Sequence, residues 1–161
     1  MNALSAPQLP VRLELSADFS LSYTCGNEYD PANPYGQCVL TMGADGRVRL
    51  DNRRHGSART WTAGIELSTV AELVALLNAA GFPVVPPHQI LPGSTRTLLI
   101  RTRGRELRTL PAGFHEVHRW PGYQDLYHLL DSVIVEASRG TLPVVAKPRT
   151  GLVRGVSADA G

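Results

Sequence analysis

Residues 68–82 read STVAELVALLNAAGF, and this stretch decides the fold. Val70, Leu73, Val74, Leu77 and Ala80 recur at i, i+3, i+4 and i+7, and Leu76 widens the stripe. That is the period of a helix with one buried face. Thr69 and Glu72 stand at capping-box spacing, with Ser68 as an alternative N-cap. Gly81 falls where a left-handed residue ends a helix without a Cβ clash, Phe82 is placed to fold back on the last turn, and Pro83 blocks continuation. Burying Leu73 and Leu77 is worth roughly 1.5–3 kcal/mol each. Such a stripe is core, so this helix frames the fold and leaves the function to be found elsewhere.

Upstream, Val11, Leu13 and Leu15 alternate with Arg12 and Glu14, and Phe19, Leu21 and Tyr23 alternate with serines. Both patterns have the period of a half-buried strand. Asp45-Gly46 is a two-residue hairpin signal. Counting outwards from it pairs Gly43 with Val48 and Thr41 with Leu50. This places Val39, Thr41, Val48 and Leu50 on the core face, with Met42 and Arg49 opposite. Asn52 to Ser57 is a polar turn, and Ala58 to Leu67 reads as a further strand. Downstream, a second hairpin turns near Arg103-Gly104 and sets Ile100 against Leu107 and Arg101 against Glu106. Arginine suits a two-residue turn poorly, which argues for a longer one. Tyr123 to Ala137 is a second amphipathic helix, with Leu126, Leu129, Leu130, Val133, Ile134 and Ala137 on one stripe. The order predicts an α+β fold: an antiparallel sheet of five to seven strands with two helices on one face. A single domain is expected over 11–138, with a lead-in at 1–10 and an aperiodic, disordered basic tail at 139–161.

The composition is that of a globular chain: 161 residues, 43% hydrophobic and 19% charged. A net charge of +2 makes no case for a nucleic-acid partner. No apolar run approaches the roughly 18 residues of a membrane span. The N-terminus lacks the basic and apolar regions of a secretory signal, so the expected location is the cytoplasm.

Chemistry-bearing residues are few. His115 and His118 stand three apart, not at the HExxH spacing that puts two histidines on one helix face. With His128 they make a candidate metal or hydrolase group, against the plainer account of surface histidines. Arg96, Arg101, Arg103, Arg105 and Arg108 cluster on the second hairpin, where a nucleic-acid reading lacks interleaved aromatics. An exposed sheet face kept soluble by arginine explains them as well. Cys25 and Cys38 make neither a metal set nor a disulfide framework. They are expected as free thiols, although a bond between them would close a loop of about 14 residues, worth roughly 3 kcal/mol in the chain-entropy model. Between them lies CGNEYDPANPYGQ, residues 25–37, a loop of turn formers carrying Tyr29 and Tyr35. Rigid aromatic loops suit protein recognition. A second irregular stretch, Pro111 to Gly122, contributes Trp120 as a further candidate contact.

An early strand pair, a DG hairpin, a Thr-initiated helix ending AAGF-P, a basic hairpin and a closing Leu-rich helix resemble small uncharacterised bacterial α+β domains. The emfourin-type inhibitors of thermolysin-like metalloproteases have a similar order. The resemblance covers residues 11–137 and is sharpest over LSTVAELVALLNAAGFPVVP; the Tyr/Pro loop and the tail depart from it. No functional residues carry over. It implies a non-catalytic protein-binding domain, a protease inhibitor or an immunity-like protein, without cofactor. The expected partner is another protein, such as a protease or a toxin, and the irregular loops rather than the resemblance supply its candidate contacts, Tyr29, Tyr35 and Trp120.

Overall fold

The computed structural model describes residues 11–89, 93–114 and 116–159. The strands are β1 (Ser20–Gly26), β2 (Gln37–Gly43), β3 (Arg47–Arg54), β4 (Ser57–Ile65), β5 (Thr95–Thr102), β6 (Arg105–Arg108), β7 (Ala112–Gly113) and β8 (Val153–Ala158). The helices are α1 (Leu67–Ala80) and α2 (Tyr123–Ala137), with a 3-10 turn at Glu116–Arg119. All eight strands lie in one antiparallel sheet in the order β6-β5-β1-β2-β3-β4-β8, and β7 pairs with β5. The α+β class stands as read. The strand count exceeds the expected five to seven because the two-residue β7 and the tail strand β8 were invisible to pattern.

Three cross-strand rows face the helices. One runs Ile100, Leu21, Met42, Val48, Ala63; the next runs Leu98, Tyr23, Leu40, Leu50, Trp61. The third runs Arg96, Cys25, Cys38, Asn52, Arg59. The first two rows form one core with Val70, Leu73 and Leu77 of α1 and Leu126, Leu130, Val133 and Ile134 of α2. The opposite face carries Ser22, Thr24, Thr41, Arg49 and Thr97 and stays open.

The helix ends follow their chemistry. Gly81 adopts φ 80, the Phe82 N–H donates to the Leu77 carbonyl at 3.1 Å, and Phe82 is fully buried. At the other end the capping box does not form. Glu66 is the N-cap, without a side-chain bond, and Glu72 turns away to pair with Arg149 at 2.6 Å. α2 keeps the limits that its stripe dictates.

The first hairpin corrects the expected register. Its connection is three residues long, with Met42 opposite Val48 and Gly46 at φ 81 accepting the left-handed position. A shift of one residue moves every side chain to the other face. Leu40 and Met42 are therefore core, while Val39 and Thr41 lie on the open side. The second hairpin keeps its expected register, Ile100 with Leu107 and Arg101 with Glu106. Its turn is two residues after all, with Arg103 at φ 51. The Asp18 carboxylate makes this tolerable by accepting the Arg103 and Gly104 amides at 2.9 and 3.1 Å.

Two further expectations change. Residues 11–15 form no strand; the Leu13 backbone is satisfied by the Asn78 carboxamide, at 2.7 and 2.9 Å. Of the stretch 139–161, read as a disordered tail, the described residues 139–159 are tied down along α2. The Lys147 carbonyl meets His128, the Arg149 amide donates to Ser132, and the Leu152 and Val153 amides donate to Glu136. β8 then pairs with β4. Its mostly exposed residues carry no period-2 signal, which is why it read as tail.

Candidate functional site

The polar third row lies at the end of the sheet from which the 27–36 loop springs. The loop is built from consecutive turns at a period of three. Asp30, Asn33 and Gly36 each donate a backbone N–H to the carbonyl three residues earlier, on Asn27, Asp30 and Asn33. The side chains of Asn27, Asp30 and Asn33 each accept the amide two residues on, from Tyr29, Ala32 and Tyr35, at 3.0 Å. Asx residues open such turns, and Pro31 and Pro34 stand at the position whose φ proline presets. The repeat N-x-x-D-P-x-N-P-x-G was present in the sequence and is the signal that marks this loop as ordered.

Side chains pin the ladder to its surroundings. Asp30 accepts the Ser94 amide at 3.1 Å and the Ser94 hydroxyl at 2.6 Å, which holds its carboxyl below the usual range. Asn33 donates to the Gly36 carbonyl and the Ser94 hydroxyl. Glu28 accepts the Gly56 amide from the β3–β4 turn. At the neck the backbones are in contact: a Cβ on Gly26 would meet the Gly36 carbonyl oxygen at 2.1 Å. Beside the loop is a cavity of about 490 Å³ lined by Asp30, Asn33, Pro34, Tyr35, Ser94 and Phe114 among others.

Beneath the loop sits a buried ion pair. Arg96, 2% exposed, gives its Nη1 to both Asp131 oxygens, at 2.9 and 2.8 Å, and to the Tyr23 hydroxyl. Tyr23 in turn donates to Asp131 at 2.8 Å. The Arg96 Nε donates to the Phe114 carbonyl at 2.8 Å, and the guanidinium lies 4.0 Å over the Phe114 ring. Burial pushes the Asp131 carboxyl up, against the pull of Arg96 and Tyr23. Burial pushes the Tyr127 hydroxyl in the same layer up, against the pull of Arg96 and Thr109, and it has no partner in hydrogen-bonding geometry among the described residues.

Cys25 and Cys38 face each other directly across β1 and β2, buried and unbonded. Their interaction with each other, with burial, pushes the Cys25 thiol up, and the same interaction together with Asn52 pulls Cys38 down. The Asn52 carboxamide, held by the Tyr35 and Gln37 carbonyls, stands 3.5 Å from the Cys38 sulfur.

The candidate contact residues separate. Tyr29 is 70% exposed. Tyr35 is half-buried against the core and forms a wall of the cavity. Trp120 is 5% exposed, with ring centroids 5.0 Å from His88 and 6.0 Å from Tyr123, and so is core rather than contact surface. His115 lies outside the described residues, as does the side chain of His118. His128 bonds the Lys147 carbonyl at 2.8 Å. Among the described residues no group of three or more His, Cys, Asp or Glu side chains is placed to hold a metal, and no helix is long and apolar enough to cross a membrane. Of the arginine cluster, Arg96 is the buried partner of Asp131. Arg101 and Arg108 pair with Glu106, and Arg103 with Glu14.

Arg96 and Asp131 are the residues that pattern missed. Arg96 sits among solvent-facing arginines in sequence, and Asp131 hides inside the apolar stripe of α2, so only the fold brings them together. Comparison with family models and with curated proteins gives no match for this chain.

Proposed function

We propose that this chain is a non-catalytic protein-binding domain that docks another protein through the 27–36 loop, in an inhibitory or self-protective role. The observation that carries the reading is the run of consecutive Asx-opened turns that holds an exposed tyrosine on a pinned loop. Binding loses affinity to the ordering of side chains and loops, and a loop already ordered avoids most of that cost. Tyr29 supplies a large amphipathic anchor of the kind enriched at binding hot spots. Exposed Pro31, Ala32 and Pro34 give it a stiff, low-entropy rim. The cavity beside the loop takes one side chain of the partner, between Tyr35 and Phe114. A protease or a toxin is the class of partner that fits such a wedge, and a thermolysin-like metalloprotease is the first to test, because the order of elements resembles its inhibitors.

The test is titration of the full chain against that protease, read as both inhibition and binding by calorimetry. Tyr29→Ala should weaken binding at least about tenfold, equivalent to about 1.4 kcal/mol, with an unchanged circular dichroism spectrum. A Tyr29→Ala variant that binds as tightly as the parent sinks the docking role of the loop. Tight binding to other proteins and none to the protease removes the inhibitor assignment alone.

A further inference from the structure

The two thiols sit where a change in bonding would be felt by the loop. They are direct cross-strand partners, each 1% exposed, Cys25 one residue before Gly26 and Cys38 two residues after Gly36, the glycines where the loop begins and ends. They occupy the centre of the polar row, with Arg96 in register beside Cys25 and Asn52 beside Cys38.

We propose that Cys25 and Cys38 are a reversible oxidation site, closed by a hydroperoxide into a cross-strand disulfide at the neck of the loop. Cys38 is the attacking thiol. The Asn52 carboxamide gives its N–H to the Cys38 sulfur at 3.5 Å, which favours the thiolate there. The Cys38 sulfur attacks the peroxide oxygen. The S–O bond forms as the O–O bond breaks, and Cys38 becomes a sulfenic acid with release of water, or of an alcohol from an organic hydroperoxide. Cys25 then attacks the Cys38 sulfur. The S–S bond forms, the S–O bond breaks, and the departing hydroxide takes the Cys25 proton as a second water. The two sulfurs together give up two electrons and two protons, and the peroxide is reduced.

The bond is readily undone. Opposed strand residues hold their Cβ atoms about 4.5–5.5 Å apart, whereas a disulfide asks for about 3.5–4.5 Å. Closing it draws β1 and β2 together under strain, and strained disulfides have the higher potentials of labile, regulatory bonds. It also draws Cys38 away from Asn52, the side chain that holds the Tyr35 and Gln37 carbonyls. That the bond then alters docking rests on the protein-binding reading above; the oxidation itself does not.

The experiment uses the full chain, fully reduced, exposed to stoichiometric hydrogen peroxide at neutral pH and followed by intact mass and peptide mapping. The expected result is loss of two hydrogens, a Cys25–Cys38 linked peptide within one chain, and full recovery with dithiothreitol. In Cys25→Ser, dimedone should trap a sulfenic acid at Cys38; in Cys38→Ser, Cys25 should stay unmodified. Should either variant fail to fold, the parent mass experiment decides alone. The proposal is overturned if the folded parent forms no internal disulfide under peroxide that oxidises the unfolded chain, or if bonds form only between chains. Equal trapping at Cys25 and Cys38 overturns the assignment of roles. If the disulfide forms and Tyr29-dependent binding is unchanged, the oxidation site stands and its control over docking is overturned. If no disulfide forms while Tyr29-dependent binding persists, the oxidation site is overturned and the docking reading stands.

Discussion

The two ends of the sheet are made on different terms. At one end the rows through Leu21 and Leu40 are apolar, and the helices close over them by burial, which has no direction. At the other end the row Arg96, Cys25, Cys38, Asn52, Arg59 is polar, and its partners are fixed by donor and acceptor geometry. The first end supplies stability and tolerates a change of shape. The second supplies position, and it does so immediately under the loop read here as the docking surface. A buried ion pair is weak evidence for stability in general. Here its use is to anchor Phe114, a wall of the cavity beside the loop, through both backbone and ring.

Removing one charge should break the polar end most severely. Asp131→Ala leaves Arg96 buried without its counter-charge and should cost about 3–5 kcal/mol in urea unfolding. The double variant Arg96→Met/Asp131→Leu should recover most of that loss, because neither charge then needs a partner. If the double variant is as unstable as the single one, the ion pair is a source of stability and the contrast between the ends fails. Leu50→Ala, in the middle of the second row, should cost about 2–5 kcal/mol by lost transfer and a residual cavity. It should leave Tyr29-dependent binding unchanged, since it touches the apolar end alone.

The smallest effect concerns two carboxylates. Asp131 is raised by burial, whereas Asp18, exposed beside the second hairpin, is lowered from 3.8 to about 2 by the Ser16 hydroxyl and the Arg103 and Gly104 amides. A carboxyl lowered by folding contributes stability that is present above its unfolded value and lost as pH falls through its folded one. The Asp18 contribution should therefore vanish between about pH 4 and pH 2. Asp18→Asn should flatten the profile of Tm against pH in that window and alter it little at neutrality. An unchanged acid limb in the variant would remove Asp18 from its assigned role at the Arg103 turn.

Much of the frame could be read from residue order. The α2 stripe and the Gly81-Phe82 ending of α1 are local signals, and the structure keeps both. The second hairpin kept its register because its apolar and charged pairs agree with only one pairing. The first did not, because Asp-Gly serves both a two-residue turn and a three-residue turn with a left-handed glycine, and the two differ by a flip of faces. β8 escaped because an edge strand with exposed residues has no periodicity to show. The capping box failed because the helix starts earlier, with Glu66 as N-cap, which puts Thr69 inside the first turn. Of the candidate site, Tyr29 was legible as an exposed aromatic. The Arg96–Asp131 pair was not, because 35 residues separate its members and nothing local marks them as partners.

The ladder of turns in the 27–36 loop has one more consequence. Each rung spends three residues, and the residue that closes one turn opens the next, so the bonding pattern survives only changes of whole rungs. Adding or removing a full Asx-Pro-x unit would lengthen or shorten the loop while keeping its turns in phase. A single inserted residue would rotate everything beyond it. Variation along this lineage that preserves the tyrosines should therefore come in multiples of three, and the reach of the wedge is set by how many rungs it holds.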